Sequence, residues 1–184
     1  MSTTKDTFIV HLRKARAQHL KWLNHIKLMV SGIAVSKEAV ALNQSESSFG
    51  IWLYDEAMVF GTSSSKNVLE EIAALHTECY EHYLKIYHTL FANRGGGFFK
   101  SVFGNKVGEN DLLLAQQQYE RLVRVSDALV NRLRLFESQM LATTASKFDE
   151  MVLSADEPVG VIDLLREPEL RSGVQRMYRG QPVD

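Results

Sequence analysis

The chain has 184 residues, 45% of them hydrophobic and 23% charged, a composition that fits one globular domain able to bury a substantial core. Lys plus Arg (21) nearly cancels Asp plus Glu (22), leaving a formal charge of -1, so the chain as a whole makes no electrostatic case for nucleic acid or a membrane surface. A single cysteine, Cys79, excludes an intramolecular disulfide. No apolar run approaches the roughly 18 residues of a membrane span and no basic leader precedes one, so a cytoplasmic location is expected. The three prolines, Pro158, Pro168 and Pro182, all follow residue 157. A long segment free of the strongest helix breaker, with few alternating patterns, reads as all-α.

The first helix is expected from about Asp6 to Ser31, entered through a Thr3-x-x-Asp6 cap. Its apolar stripe, Leu12, Ala15, His19, Leu23, Ile26 and Val30 with Trp22 alongside, advances in steps of three and four and puts His19 on the buried face. Gly32 ends it, and a short helix from Ser36 to Leu42 follows. A polar run, Asn43 to Ser48, leads into a helix from about Phe49 to Phe60. Gly50 within that apolar run costs about 1 kcal/mol relative to Ala in a helix, and a glycine so placed marks the close approach of another element. After Gly61 to Ser65, Asn67-x-x-Glu70 opens a helix carrying Leu69, Ile72, His76, Cys79, Tyr80, Tyr83 and Ile86 in helical steps.

Residues Gly95 to Asn110 contain five glycines around Phe98, Phe99, Val102 and Phe103, with Arg94, Lys100 and Lys106. Either the aromatics cover the end of a bundle or they form a basic-aromatic patch for a protein or a membrane surface. A single long helix is then expected from Asp111 to about Leu153, with Leu122, Val125, Leu129, Leu133, Phe136 and Met140 facing the core. Its length exceeds what a small bundle needs to cover itself and points to a homodimer or a partner. Beyond Pro158, apolar residues from Val161 to Met177 alternate with Arg166, Arg171, Arg176 and Arg179 as an amphipathic tail suited to docking. The expected architecture is an all-α, antiparallel bundle of four or five helices at 1–153, with one long helix, and a short helical C-terminal tail at 154–184.

No phosphate loop, zinc-protease, EF-hand, nucleophile-elbow or CxxC signature occurs, so nothing asks for an enzyme. His76, His82 and His88 are six apart and point about 120° from one another around a helix, which prevents them from sharing one metal. His76, Cys79 and Tyr80 share a face. They form either a polar site facing His19 or a hydrogen-bonded histidine cluster within the core.

Three segments, QHLKW at Gln18 to Trp22, SSFGIWLYDE at Ser47 to Glu56 and LHTECY at Leu75 to Tyr80, resemble in order and separation the signatures of the chemoreceptor zinc-binding domain family. That family's pattern is His-x-x-Trp, Cys-x-Phe/Leu-Gly-x-Trp and His-x-x-x-His. The resemblance covers about residues 8 to 90. It implies a helical bundle in which three histidines and a cysteine bind zinc, acting as a cytoplasmic sensor, often homodimeric, that regulates bacterial chemoreceptors or diguanylate cyclases.

Matched residue by residue, His19 and His76 stand at the first two histidine positions, but Ser47 replaces the cysteine and Tyr80 the last histidine. A serine hydroxyl and a tyrosine phenol stay protonated at neutral pH and are poor zinc ligands, while structural zinc wants four donors. The expectation is therefore a non-enzymatic signalling module, without nucleic-acid partner or membrane span, that keeps His19, Ser47, His76 and Tyr80 as a metal-free polar cluster. The alternative is a zinc-binding sensor that uses a rearranged set such as His19, His76 and Cys79.

Overall fold

The computed structural model describes residues 4–33, 40–62, 64–92 and 108–156. Five α-helices run through these residues with no strand among them: α1 (Lys5–Val30), α2 (Ser48–Asp55), α3 (Lys66–Tyr87), α4 (Glu109–Ala142) and α5 (Ala145–Asp156). Short 3-10 turns at Gln44–Glu46 and Ala57–Thr62 flank α2, and a π turn, His88–Ala92, extends α3. The amphipathic tail, residues 95–107 of the glycine-rich segment with its basic aromatics, and residues 36–39 of the short helix expected from Ser36 to Leu42 lie outside the described residues; Val40 to Leu42, which are described, are not helical.

Helix α1 is capped by Thr4, whose side chain accepts from the Thr7 N–H at 3.3 Å, one residue later than the sequence signature placed the cap. Gly32, with φ +73, turns the chain out of the helix, a conformation a side chain would disfavour. Helix α3 starts at Lys66 behind Ser65 without a side-chain cap bond, so Asn67-x-x-Glu70 falls inside the first turn and does not act as the cap.

The single helix expected from Asp111 to Leu153 is two helices. Thr143 adopts extended backbone, with ψ 134, and its hydroxyl turns back to donate to the Gln139 carbonyl at 2.9 Å. The Thr144 hydroxyl then accepts from the Lys147 N–H at 3.3 Å and opens α5. Hydroxyls that bond nearby backbone compete with helix continuation, which is why a Thr-Thr pair can end a helix without glycine or proline. Lys5 holds the corner from outside by donating to the carbonyls of Leu141 and Thr143. With 34 residues, α4 spans about 51 Å, so the excess length that argued for dimerisation is smaller than expected.

Both α1 and α3 meet α4 at residue numbers that fall along α4 as theirs rise. On the α3 side, Glu71 pairs with Arg132 at 2.6 Å and His82 meets Gln118 at 3.1 Å. On the α1 side, Glu137 is held by Arg13 and Arg16 at 2.6 and 2.5 Å. Further along the same interface His19 bonds Ser126, and the Val30 carbonyl accepts from Gln116.

The core is continuous. At one end Phe8, Phe60, Phe136 and Phe148 pack with ring centroids 4.8 to 6.4 Å apart. Such aromatic pairs add about 0.5 to 1.5 kcal/mol beyond area burial. Midway along the helices the core becomes polar, where His19, His76 and Ser126 are buried.

Candidate functional site

The polar region is organised by the entry to α2. Asn43 Oδ1 accepts from the Ser45 N–H at 3.1 Å and sets the 3-10 turn Gln44–Glu46. Ser47 follows in extended conformation as the cap of α2. Its hydroxyl accepts from the Gly50 N–H at 2.9 Å and donates to the Gln44 carbonyl at 2.8 Å. Gly50 is buried beneath that carbonyl: a Cβ placed on it would lie 1.9 Å from the Gln44 oxygen. The close approach read from the sequence is thus made by the turn leading into the same helix.

Locked in this way, α2 directs Phe49 inward. Its ring stands 4.8 Å from that of His76 on α3 and 5.5 Å from that of His19 on α1. Trp22, one turn beyond His19, stacks on the His19 ring at 5.4 Å and on the Tyr80 ring at 5.2 Å. Tyr80 in turn stands edge-on to His76 at 5.1 Å. Four sequence-selected residues, His19, Ser47, His76 and Tyr80, are therefore gathered around Phe49 and Trp22.

Their hydrogen bonding is uneven. His19 Nε2 shares a 2.8 Å bond with the Ser126 hydroxyl on α4, with both groups buried. His76 is 1% exposed, yet neither of its ring nitrogens has a hydrogen-bond partner, nor do the Tyr80 hydroxyl and the Trp22 indole N–H. Buried polar atoms are normally paired, and these four lie in one neighbourhood.

Burial lowers the His19 pKa to about 4, with the neighbouring His76 charge adding to the effect. Burial also lowers His76 to about 4. Both rings are neutral at physiological pH. Burial raises the Tyr80 phenol; Ser47 and Trp22 lie close enough to oppose this, though neither meets hydrogen-bond geometry, and Cys79 and Glu46 reinforce the rise. The Cys79 thiol is pushed up to about 12, by burial first and Glu78 second, which leaves it a protonated core side chain.

The four residues differ in how far their donor atoms are already engaged. Zinc needs deprotonated thiolate or free imidazole nitrogens. His19 Nε2 is engaged by Ser126, and the Ser47 hydroxyl is spent on two backbone groups. Both ring nitrogens of His76 are without partners. Among the described residues no group of three or more His, Cys, Asp or Glu side chains is placed to hold a metal. The Ser126–His19 pair resembles half of a nucleophile–base arrangement, but at 0% and 2% exposure it is closed to substrate.

Ser126 is the site residue that the sequence reading missed. It sits in helical step with Leu122 and Leu129, and a small polar residue in an apolar stripe was the available signal. Comparison with known proteins finds no matching family model, no matching curated protein and no matching solved structure.

Proposed function

We propose that this protein is a non-enzymatic regulatory or protein-interaction module of the chemoreceptor zinc-binding type, in which the former metal site persists as a metal-free polar cluster. The observation that carries this reading is the hydrogen bond between His19 Nε2 and the Ser126 hydroxyl, together with the use of Ser47 as a helix cap. Two family ligand positions are thereby occupied by structural bonds. The registers of α1 and α3, each opposed to that of α4, support an antiparallel bundle as its frame.

The module works in the bacterial cytoplasm and acts through a protein partner, in chemotaxis or cyclic-di-GMP signalling by analogy with the family, and as a homodimer. Leu113, Leu114 and Leu135 of α4 expose apolar surface for such contacts, and the amphipathic residues after Pro158 supply a second docking element. Among the described residues no helix is long and apolar enough to cross a membrane.

A second reading, a zinc sensor built on His19, His76 and Cys79, is favoured by the two unpartnered nitrogens of His76. Elemental analysis of untagged protein separates the two. The metal-free reading expects no stoichiometric zinc; one zinc per chain, lost in His19→Ala and His76→Ala variants, would overturn it. Affinity capture with the full chain and with a chain ending at Leu153 tests the docking role, and identical partners and oligomeric state for both would refute a docking function of the tail.

A further inference from the structure

The aromatic contacts around Trp22 continue beyond the polar cluster. Trp22 is only partly buried and lines a half-open cleft of about 270 Å³ between α1 and the entry to α2, which opens its indole to small solutes. On its inner side the indole stacks on Tyr80 at 5.2 Å and stands edge-on to Tyr83 at 5.6 Å. Tyr83 stands edge-on to Tyr80 at 5.9 Å and meets Tyr87, one turn further along α3, at 6.2 Å. Tyr80 and Tyr83 are buried, whereas Tyr87 is partly exposed. Ring contacts therefore lead without a break from the cleft, through the core, to a phenol at the surface.

Stacked and edge-on pairs pack many cores; the chemistry of these rings sets them apart. Each is an indole or a phenol, the aromatic groups that yield one electron most readily. Trp52 supplies the contrast, because its ring contacts are Phe8 at 6.2 Å and Phe49 at 5.6 Å, which resist oxidation. The protons set a direction. A phenol that gives up an electron must also release its proton to become a neutral radical. The buried Tyr83 hydroxyl donates at 3.4 Å to the Val40 carbonyl, too weak a base to take that proton, while the Trp22 N–H and the Tyr80 hydroxyl are buried without an acceptor. Tyr87 is the first phenol along the contacts on a residue that reaches the surface.

We propose that Trp22, Tyr80, Tyr83 and Tyr87 form an electron relay for small one-electron oxidants, in which an oxidising radical that meets Trp22 in the cleft leaves its oxidising equivalent on Tyr87. The oxidant takes one electron from the Trp22 indole and leaves a radical cation that keeps its N–H. An electron returns to Trp22 from the tyrosines, the deficit moves to Tyr87, and the Tyr87 phenol releases one proton to water. In sum, the oxidant and the Tyr87 phenol give the reduced oxidant, a Tyr87 phenoxyl radical and one proton. The relay needs neither a metal nor a protein partner, so its test is separate from that of the interaction-module reading.

Pulse radiolysis of the intact protein with the azide radical, which oxidises tryptophan in preference to tyrosine, tests the relay. The expected result is loss of the indolyl-radical absorption with matching growth of the tyrosyl absorption, at a first-order rate independent of protein concentration. Trp22→Phe abolishes this phase, Trp52→Phe leaves it in place, and Tyr87→Phe removes its tyrosyl product. All three exchanges keep an aromatic ring, and neither indole N–H makes a hydrogen bond. Tyr87→Phe removes only a hydroxyl from a partly exposed residue, so it decides the question even if a tryptophan variant fails to fold. A rate that rises with protein concentration, a phase that survives in Trp22→Phe or vanishes in folded Trp52→Phe, or an undiminished tyrosyl yield in Tyr87→Phe would each overturn the relay.

Discussion

Replacing Gly50 by alanine tests the local architecture of the site most directly. Alanine is intrinsically the better helix former by about 1 kcal/mol, so propensity alone forecasts a gain. The structure forecasts a loss. The new Cβ would lie 1.9 Å from the Gln44 carbonyl oxygen, whereas ordinary contact begins near 3.4 Å, so the turn and the helix must separate by about 1.5 Å. The obstacle is backbone, with no flexible side chain to yield. That displacement pulls apart the Ser47 bonds to Gly50 and Gln44, a cap worth about 1 kcal/mol, and adds a packing strain of about 1 to 3 kcal/mol. The net expectation is destabilisation by about 2 kcal/mol, read as a lower urea midpoint at unchanged m value. Gly61→Ala is the matched control, since a Cβ there meets nothing within 4 Å. A Gly50→Ala protein as stable as wild type would refute the tight-turn account.

Stability should fall on mild acidification. His19 and His76 are held near 4 in the folded state against 6.5 as free side chains, so between these limits the unfolded chain binds protons that the folded one refuses. Each residue then contributes a loss of about 1.4 kcal/mol per pH unit; urea midpoints at pH 7, 6 and 5 measure it, and His76→Phe should remove roughly half of the slope. Ser126→Ala strands the buried His19 nitrogen and should cost about 1 to 3 kcal/mol in the same assay, and a neutral result would mean that the 2.8 Å bond is not formed. Although desolvation pushes the Glu137 carboxyl upward, Arg13 and Arg16 outweigh it and hold the carboxyl below its usual range. Its stabilising effect is therefore present above the ordinary carboxylate pKa and lost as pH falls through the folded value, a loss that Glu137→Gln abolishes in acid titrations. Cys79, with 0% exposure and a thiol pushed up to about 12, should react with a thiol reagent only as the protein opens, at a rate that denaturant accelerates.

Much of this organisation could be read from the sequence because helical periodicity reports burial directly. Leu12, Ala15, His19, Ile26 and Val30 were placed inward by their spacing and are buried; His76, Cys79 and Tyr80 share a buried face as their steps of three and four require. Gly50 was legible as a close approach, though not the identity of the approaching carbonyl. What escaped the sequence was decided by hydroxyl groups with two possible uses. Thr143 and Thr144 could have continued a helix and instead end one. Ser126 could have been a passive small residue and instead holds His19 from 107 positions away. Propensities treat such residues as weak helix formers; only the three-dimensional partner determines the outcome.

The Lys5 clasp on the α4–α5 corner has a consequence for the order of assembly. A residue in the first turn of α1 meets carbonyls 136 and 138 positions later, and Phe8 shares its aromatic cluster with Phe136 and Phe148. During synthesis Phe8 must therefore wait, with its ring contacts to Phe136 and Phe148 unmade, until the last described helix has emerged. Late closure of this kind slows folding and leaves apolar surface uncovered in the nascent chain. A chain interrupted before Phe148 would keep α1, α2 and α3 but leave Phe8 and Phe60 without part of their cover, making the α5 corner the final latch of the fold.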